Sequence, residues 1–182
     1  MRHSRLPQEQ RTGIDDLDLS RALLFQWFHR AFPEGKEPRA PMTSQAMDFL
    51  LEYSRTPFDD ELFAMRLFGF PDVKAHAREH EALRETIGAL HRRSQAEGVT
   101  PRIQEAIRGM LLQLVSSHTA RADLQFARFL KEQHPAIDPT DDFPQRRSAS
   151  DAWGIDRDEA RNVGLIPTID WTSSTRTTRR AG

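Results

Sequence analysis

Apolar residues recur at every third or fourth position through four stretches of this chain, each closed by proline or glycine, and nothing before residue 135 alternates as a strand would. The chain is therefore expected to be all-α. Asp15 to Phe32 carries a stripe of Leu17, Leu24 and Phe28, stopped by Pro33, Gly35 and a proline-rich linker to Pro41. A second stretch, capped by Thr43 or Ser44, runs through Leu50, Tyr53, Glu61, Met65 and Phe68 to Gly69. Within it, Thr56-Pro57 followed by Asp59, Asp60 and Glu61 is itself a helix start, with acids at the positive end of the dipole. A kink or break is expected near residues 55–57. Pro71 and Asp72 open a third helix reaching Glu97 before Gly98. Thr100-Pro101 opens a fourth, lasting to His134-Pro135, with Ile103, Ile107, Leu111, Leu114, His118 and Phe126 on one side. Four amphipathic helices with mostly short connections predict an antiparallel four-helix bundle over residues 12–134.

From residue 135 the composition turns to Asp, Pro, Arg, Ser and Thr, which predicts an irregular C-terminal extension over 135–182. Trp153, Ile166, Ile169 and Trp171 are expected to dock it on the bundle, since segments without a fold usually lack such residues. One short helix is expected around Asp156 to Val163, and a loose end from Thr172, whose Arg176, Arg179 and Arg180 read as a solvated tail. A net charge of −1 gives no reason to expect nucleic acid or an anionic membrane as the main partner. No apolar run approaches membrane length, and Met1 to Arg11 is basic and polar where a signal peptide would be apolar, so a cytoplasmic location is expected. With no cysteine, disulfides, thiolate sites and a cysteine nucleophile are excluded, and histidines and carboxylates are left as metal ligands. There is no glycine-rich phosphate loop or nucleophile elbow.

What does stand out is a set of polar residues on the apolar stripes. His76 and His80 share a helix face with Val73, Leu83, Ile87 and Leu90. Burying two imidazoles without partners would cost roughly 1–3 kcal/mol each, a penalty that a shared cation removes. Arg21, Glu61, His118 and Asp123 fall on the inward stripes of the other helices. Singly, each has a plain structural explanation: a hydrogen-bonded core histidine, a glutamate bent to solvent, an arginine snorkelling with only its stem buried. Asp123 is five residues from His118, about 140° around an ideal helix. Jointly they point to a buried metal site with His76, His80, His118, Glu61 and Asp123 as ligands and Arg21 beside them. His29, His91 and His134 fall at surface or terminal positions, and His3 in the polar start. Asp59 and Asp60, directly before Glu61, could rebuild a second metal site, but their plain structural explanation is a solvated helix start.

Phe58-x-x-Glu61, then Gly69-Phe70-Pro71, His76-x-x-Glu79-His80 and His118-x-x-x-x-Asp123 together resemble the hemerythrin-like, or HHE cation-binding, family over roughly residues 12 to 130. The resemblance implies a four-helix bundle with a carboxylate-bridged di-iron centre that binds O2 or related small ligands. It would make His76, His80 and His118 the histidines of one iron, and Glu61 and Asp123 the bridging carboxylates. The family's other iron takes a histidine four residues before the bridging glutamate, where this chain has Pro57, and one on the first helix, where it has Arg21.

A reduced site of one ion is therefore expected. Three imidazoles and one or two carboxylates leave at least one open position on iron, with manganese or zinc as alternatives. Without the second cation, Glu61 and Asp123 crowd negative charge into the core, and the guanidinium of Arg21 could take its place. Three readings follow: a non-haem metalloenzyme, an oxidoreductase activating O2 or a small organic substrate; a non-catalytic module that senses, stores or binds O2, NO or metal; or a bundle that retains the ligands without a physiological metal.

Overall fold

The computed structural model describes residues 11, 12 and 14–135. Among them every regular element is helical, and the helices make four rods packed side by side, consistent with a helical bundle. The first is α1 (Asp15–Ala31). The second consists of two helices, α2 (Ala40–Tyr53) and α3 (Thr56–Leu67), and the third is α4 (Val73–Glu97). The fourth is continuous but not uniform: α5 (Pro101–Gln113) passes into a π-helical segment, Leu114–Asp123, and then into α6 (Leu124–Gln133). No helix among the described residues is long and apolar enough to cross a membrane. The expected extension, with Trp153, Ile166, Ile169 and Trp171, lies outside the described residues.

Local chemistry sets these boundaries. Thr100 Oγ accepts from the Ile103 amide at 3.3 Å, and Pro101 follows in the first turn, where its missing N–H costs nothing. The break expected at 55–57 falls between Tyr53 and Thr56, and Arg84 of α4 closes it by donating Nε–H to the Ser54 carbonyl at 2.7 Å. The start of α2 differs from expectation. It begins at Ala40 with Pro41 in its first turn, and Thr43 donates its hydroxyl to the Arg39 carbonyl at 3.2 Å, so Thr43 does not cap. The last proline of the linker is thus the first turn of the helix.

The turn from α3 to α4 fixes where His76 falls. Gly69 has φ +69°, in the left-handed region that glycine enters without a Cβ penalty. The Phe70 amide donates to the Met65 carbonyl at 2.8 Å and the Gly69 amide to the Arg66 carbonyl at 3.2 Å, the paired bonds of a Schellman ending. Phe70 and Met65 then pack in one apolar cluster. With the chain reversed this way, α4 starts at Val73 and His76 sits in its first turn.

Buried apolar side chains form two clusters. The larger includes Leu23, Leu24, Phe58, Leu83, Ile87, Ile107 and Val115, and the smaller includes Leu17, Leu62, Met65, Phe70, Phe126 and Leu130. Each rod passes from one cluster to the other, and a buried polar residue stands at every crossing. On α1 the crossing falls at Asp18, between Leu17 and Leu19, with Arg21 one turn further on; Glu61 lies between Phe58 and Leu62, His76 and His80 between Phe70 and Leu83, and His118 with Asp123 between Val115 and Phe126. A fully buried leucine or phenylalanine stabilises by roughly 1.5–3 kcal/mol. The two clusters hold the rods together, and the layer between them needs its own partners.

Candidate metal centre

All three imidazoles present Nε2 to one point. His76 Nε2 lies 3.3 Å and His80 Nε2 3.2 Å from Oε2 of Glu61, and His80 Nε2 lies 2.9 Å from His118 Nε2. The ligand atoms of Glu61, His76, His80 and His118 all lie within 4.8 Å of one another, and all four residues are buried. Asp123 stands at the side of this group. Its Oδ1 is 3.6 Å from His118 Nε2 and has no hydrogen bond, while Oδ2 faces Arg21.

His118 and Asp123 can share a face because the helix between them is not α. In a π-helix the backbone bonds run from i to i+5, which brings residues five apart closer to one face. The 140° offset expected for an α-helix is thereby reduced. Hydroxyl side chains within the segment bond back to carbonyls one turn earlier, Ser116 to Leu112 at 2.6 Å and Thr119 to Val115 at 2.9 Å, a habit that bends helices. The run Val115-Ser116-Ser117-His118-Thr119 is the signal that sequence reasoning passed over.

Three further side chains close the site. Phe58 stacks on His80 with ring centroids 3.8 Å apart and planes 8° from parallel, fixing the imidazole plane. Arg21 is 2 % exposed, which removes the snorkelling alternative; its Nε and Nη2 both lie 3.3 Å from Asp123 Oδ2, and Nη2 also donates to the Thr119 carbonyl. Tyr53, read from the sequence only as core, is fully buried at the end of α2 with its ring 5.8 Å from that of Phe58. Asp59 does not join the site: it is exposed and paired with Arg84. His29 is exposed, His91 faces Asp48 at 3.8 Å, and His134 contacts the Phe68 carbonyl at 3.2 Å.

Electrostatics follow from this crowding. Burial by itself raises the Glu61 carboxyl, but hydrogen bonds and charge from His76 and His80 outweigh it and hold Glu61 well below the usual carboxylate range. Burial disfavours the charged form of His76, yet its bond to Glu61 wins and its pKa is raised. At His80 burial wins over the same carboxylate, aided by its histidine neighbours, and the ring is held neutral over a wider pH range. Burial, then the charges of Glu61 and Asp123, push the Tyr53 phenol well above its ordinary range, with Arg21 opposing.

The donor set fits a divalent cation. Nδ1 of His80 and of His118, both buried, makes no hydrogen bond, while the Nε2 atoms crowd one carboxylate oxygen. Among neutral imidazoles, Nε2 groups this close can share at most one proton per contact, whereas one cation satisfies every inward lone pair together. Two clefts reach the cluster from outside, of about 290 Å3 touching His118 and about 180 Å3 touching His76, and both are lined by Glu79 and Arg121. Comparison of the chain with protein-family models, with curated proteins and with solved structures gives no match.

Proposed function

We propose that this chain is a hemerythrin-like, non-haem metal-binding protein that holds a single ion, iron first among the candidates, between His76, His80, His118 and Glu61, with Asp123 alongside. The observation that carries the reading is the convergence of four buried ligand atoms within 4.8 Å. The order of the cores supports the antiparallel four-helix arrangement: α1 runs from the smaller cluster to the larger, the second rod returns, α4 repeats the first direction and the fourth rod the second. Arg21 in hydrogen-bonding reach of Asp123 supports replacement of a second cation by a fixed positive charge.

When bound, such an ion supplies an open coordination position that can activate O2 or polarise a small substrate. The residues of the chain do the rest. Glu61 holds its negative charge against burial, Phe58 orients His80, and Arg21 neutralises Asp123 in a layer flanked by the two apolar clusters. Loading must displace the proton shared between His76 and Glu61, so affinity rises with pH. We read the site as that of an oxidoreductase acting on O2 or a small organic molecule. The modest clefts favour a second reading, a module that senses or stores O2, NO or metal. Metal analysis of protein purified without chelator tests the core of the proposal. One ion per chain, lost in His80→Ala, is expected; a ratio near two, or none, overturns it.

A further inference from the structure

We propose that Glu79 is the positioning residue for His118: its carboxylate accepts the outward Nδ1–H of that imidazole and is itself held by Arg121, so that a surface ion pair orients a buried ligand ring. The inference rests on the metal-binding reading above. His118 turns Nε2 inward, 2.9 Å from His80 Nε2 and 3.6 Å from Asp123 Oδ1. Once that lone pair is committed to an ion, the ring proton must sit on Nδ1, and a buried N–H needs an acceptor. Nδ1 makes no hydrogen bond as the ring now lies, and Oε2 of Glu79 faces it at 3.5 Å, a few tenths of an ångström beyond bonding distance. The other oxygen, Oε1, accepts from Arg121 Nη2 at 3.1 Å.

The placement makes sense of both residues. Glu79 precedes His80 on α4, and Arg121 lies three residues past His118 on the π-helical segment, so the pair ties together the two elements that supply all three imidazoles. The side chains of Glu79 and Arg121 are 41 % and 67 % exposed, between the two clefts, and as a surface ion pair alone they would add little. His80 has no outer bond either, but Phe58 stacks flat on it; His118 lies tilted at 56° to Phe58 with 5.6 Å between centroids and lacks that support. An outer carboxylate supplies it.

Co(II) titration of the full chain, read by affinity and by the visible absorption of the bound ion, tests this. Glu79→Ala is expected to weaken Co(II) binding about 10–100-fold and to shift the absorption band. Glu79→Gln, which keeps an acceptor oxygen, should recover most of the affinity, and Arg121→Ala should fall between. Glu79→Ala that binds like the parent with an unchanged band overturns the inference, and should that variant not fold, an unchanged affinity and band in Arg121→Ala does the same. If the parent binds Co(II), His80→Ala does not, and Glu79→Ala matches the parent, only this inference falls. A parent that takes up no Co(II) brings down the metal reading with it.

Discussion

Arg21 and Asp123 meet where neither is more than 2 % exposed, so each depends on the other for its charge to be tolerated. Removing the guanidinium leaves a buried carboxylate with one oxygen already unpartnered. Arg21→Ala should therefore lose about 3–5 kcal/mol in urea denaturation, and Arg21→Ala with Asp123→Asn should regain part of it. A loss below about 1 kcal/mol, the range of exposed pairs, would remove Arg21 from the role of replacement cation. Tyr53 offers an independent check, because it is the only tyrosine of the chain. Its raised pKa means that the unfolded state gives up the phenolic proton first, so the contribution is complete below the ordinary tyrosine value of about 10 and fades as pH rises above it. In an absorbance titration at the phenolate band, ionisation should appear only well above that value or together with unfolding. A reversible midpoint at the ordinary value in folded protein would place Tyr53 away from the acids. Glu61, His76, His80 and His118 were legible in the sequence because each interrupts an apolar stripe. Tyr53 and Phe58 were not, because an aromatic on a stripe looks the same whether it packs on leucine or on a ligand ring.

At the scale of elements, the π-helical segment is the least regular part of the fold and carries His118, Thr119 and Asp123. Its bonds are poorer than those of α5 and α6 on either side. Backbone amides of Leu114–Asp123 should exchange with deuterium faster than those of the flanking helices, and loading with Co(II) should slow this segment selectively. Uniform protection along the fourth rod, with or without metal, would count against a softer segment anchored by the ion. Proline and glycine marked most helix ends in the sequence, including the break near Pro57 and the close of α4 at Gly98 with φ +72°. The start of α2 was misread because Pro41 serves equally as the end of a linker and as the first turn of a helix. The π-turn was misread because periodicity assumes one helical pitch throughout, and only the packing of the fourth rod against α1 and α4 rewards a wider one.

For the whole molecule, an ion bound only by the folded chain adds stability by mass action. At about 100 times the dissociation constant this is about 2.7 kcal/mol, and chelator should lower the thermal midpoint by about 5–10 °C for a chain of this size. His80→Ala should show no sensitivity to chelator. A parent protein whose midpoint ignores chelator would have no structural ion to lose. By itself the sequence determined that the described residues are helical, where most of their helices begin and end, and which polar residues face inward, because those properties depend on spacing and on local backbone chemistry. Whether the inward residues share one point was left to the tertiary structure. Depth along a rod and the π-helical pitch that brings Asp123 back beside His118 are matters of packing, and the bonds of Arg21 to the Thr119 carbonyl and the Asp123 carboxylate join residues 98 and 102 apart across the core. No local pattern encodes a contact of that kind.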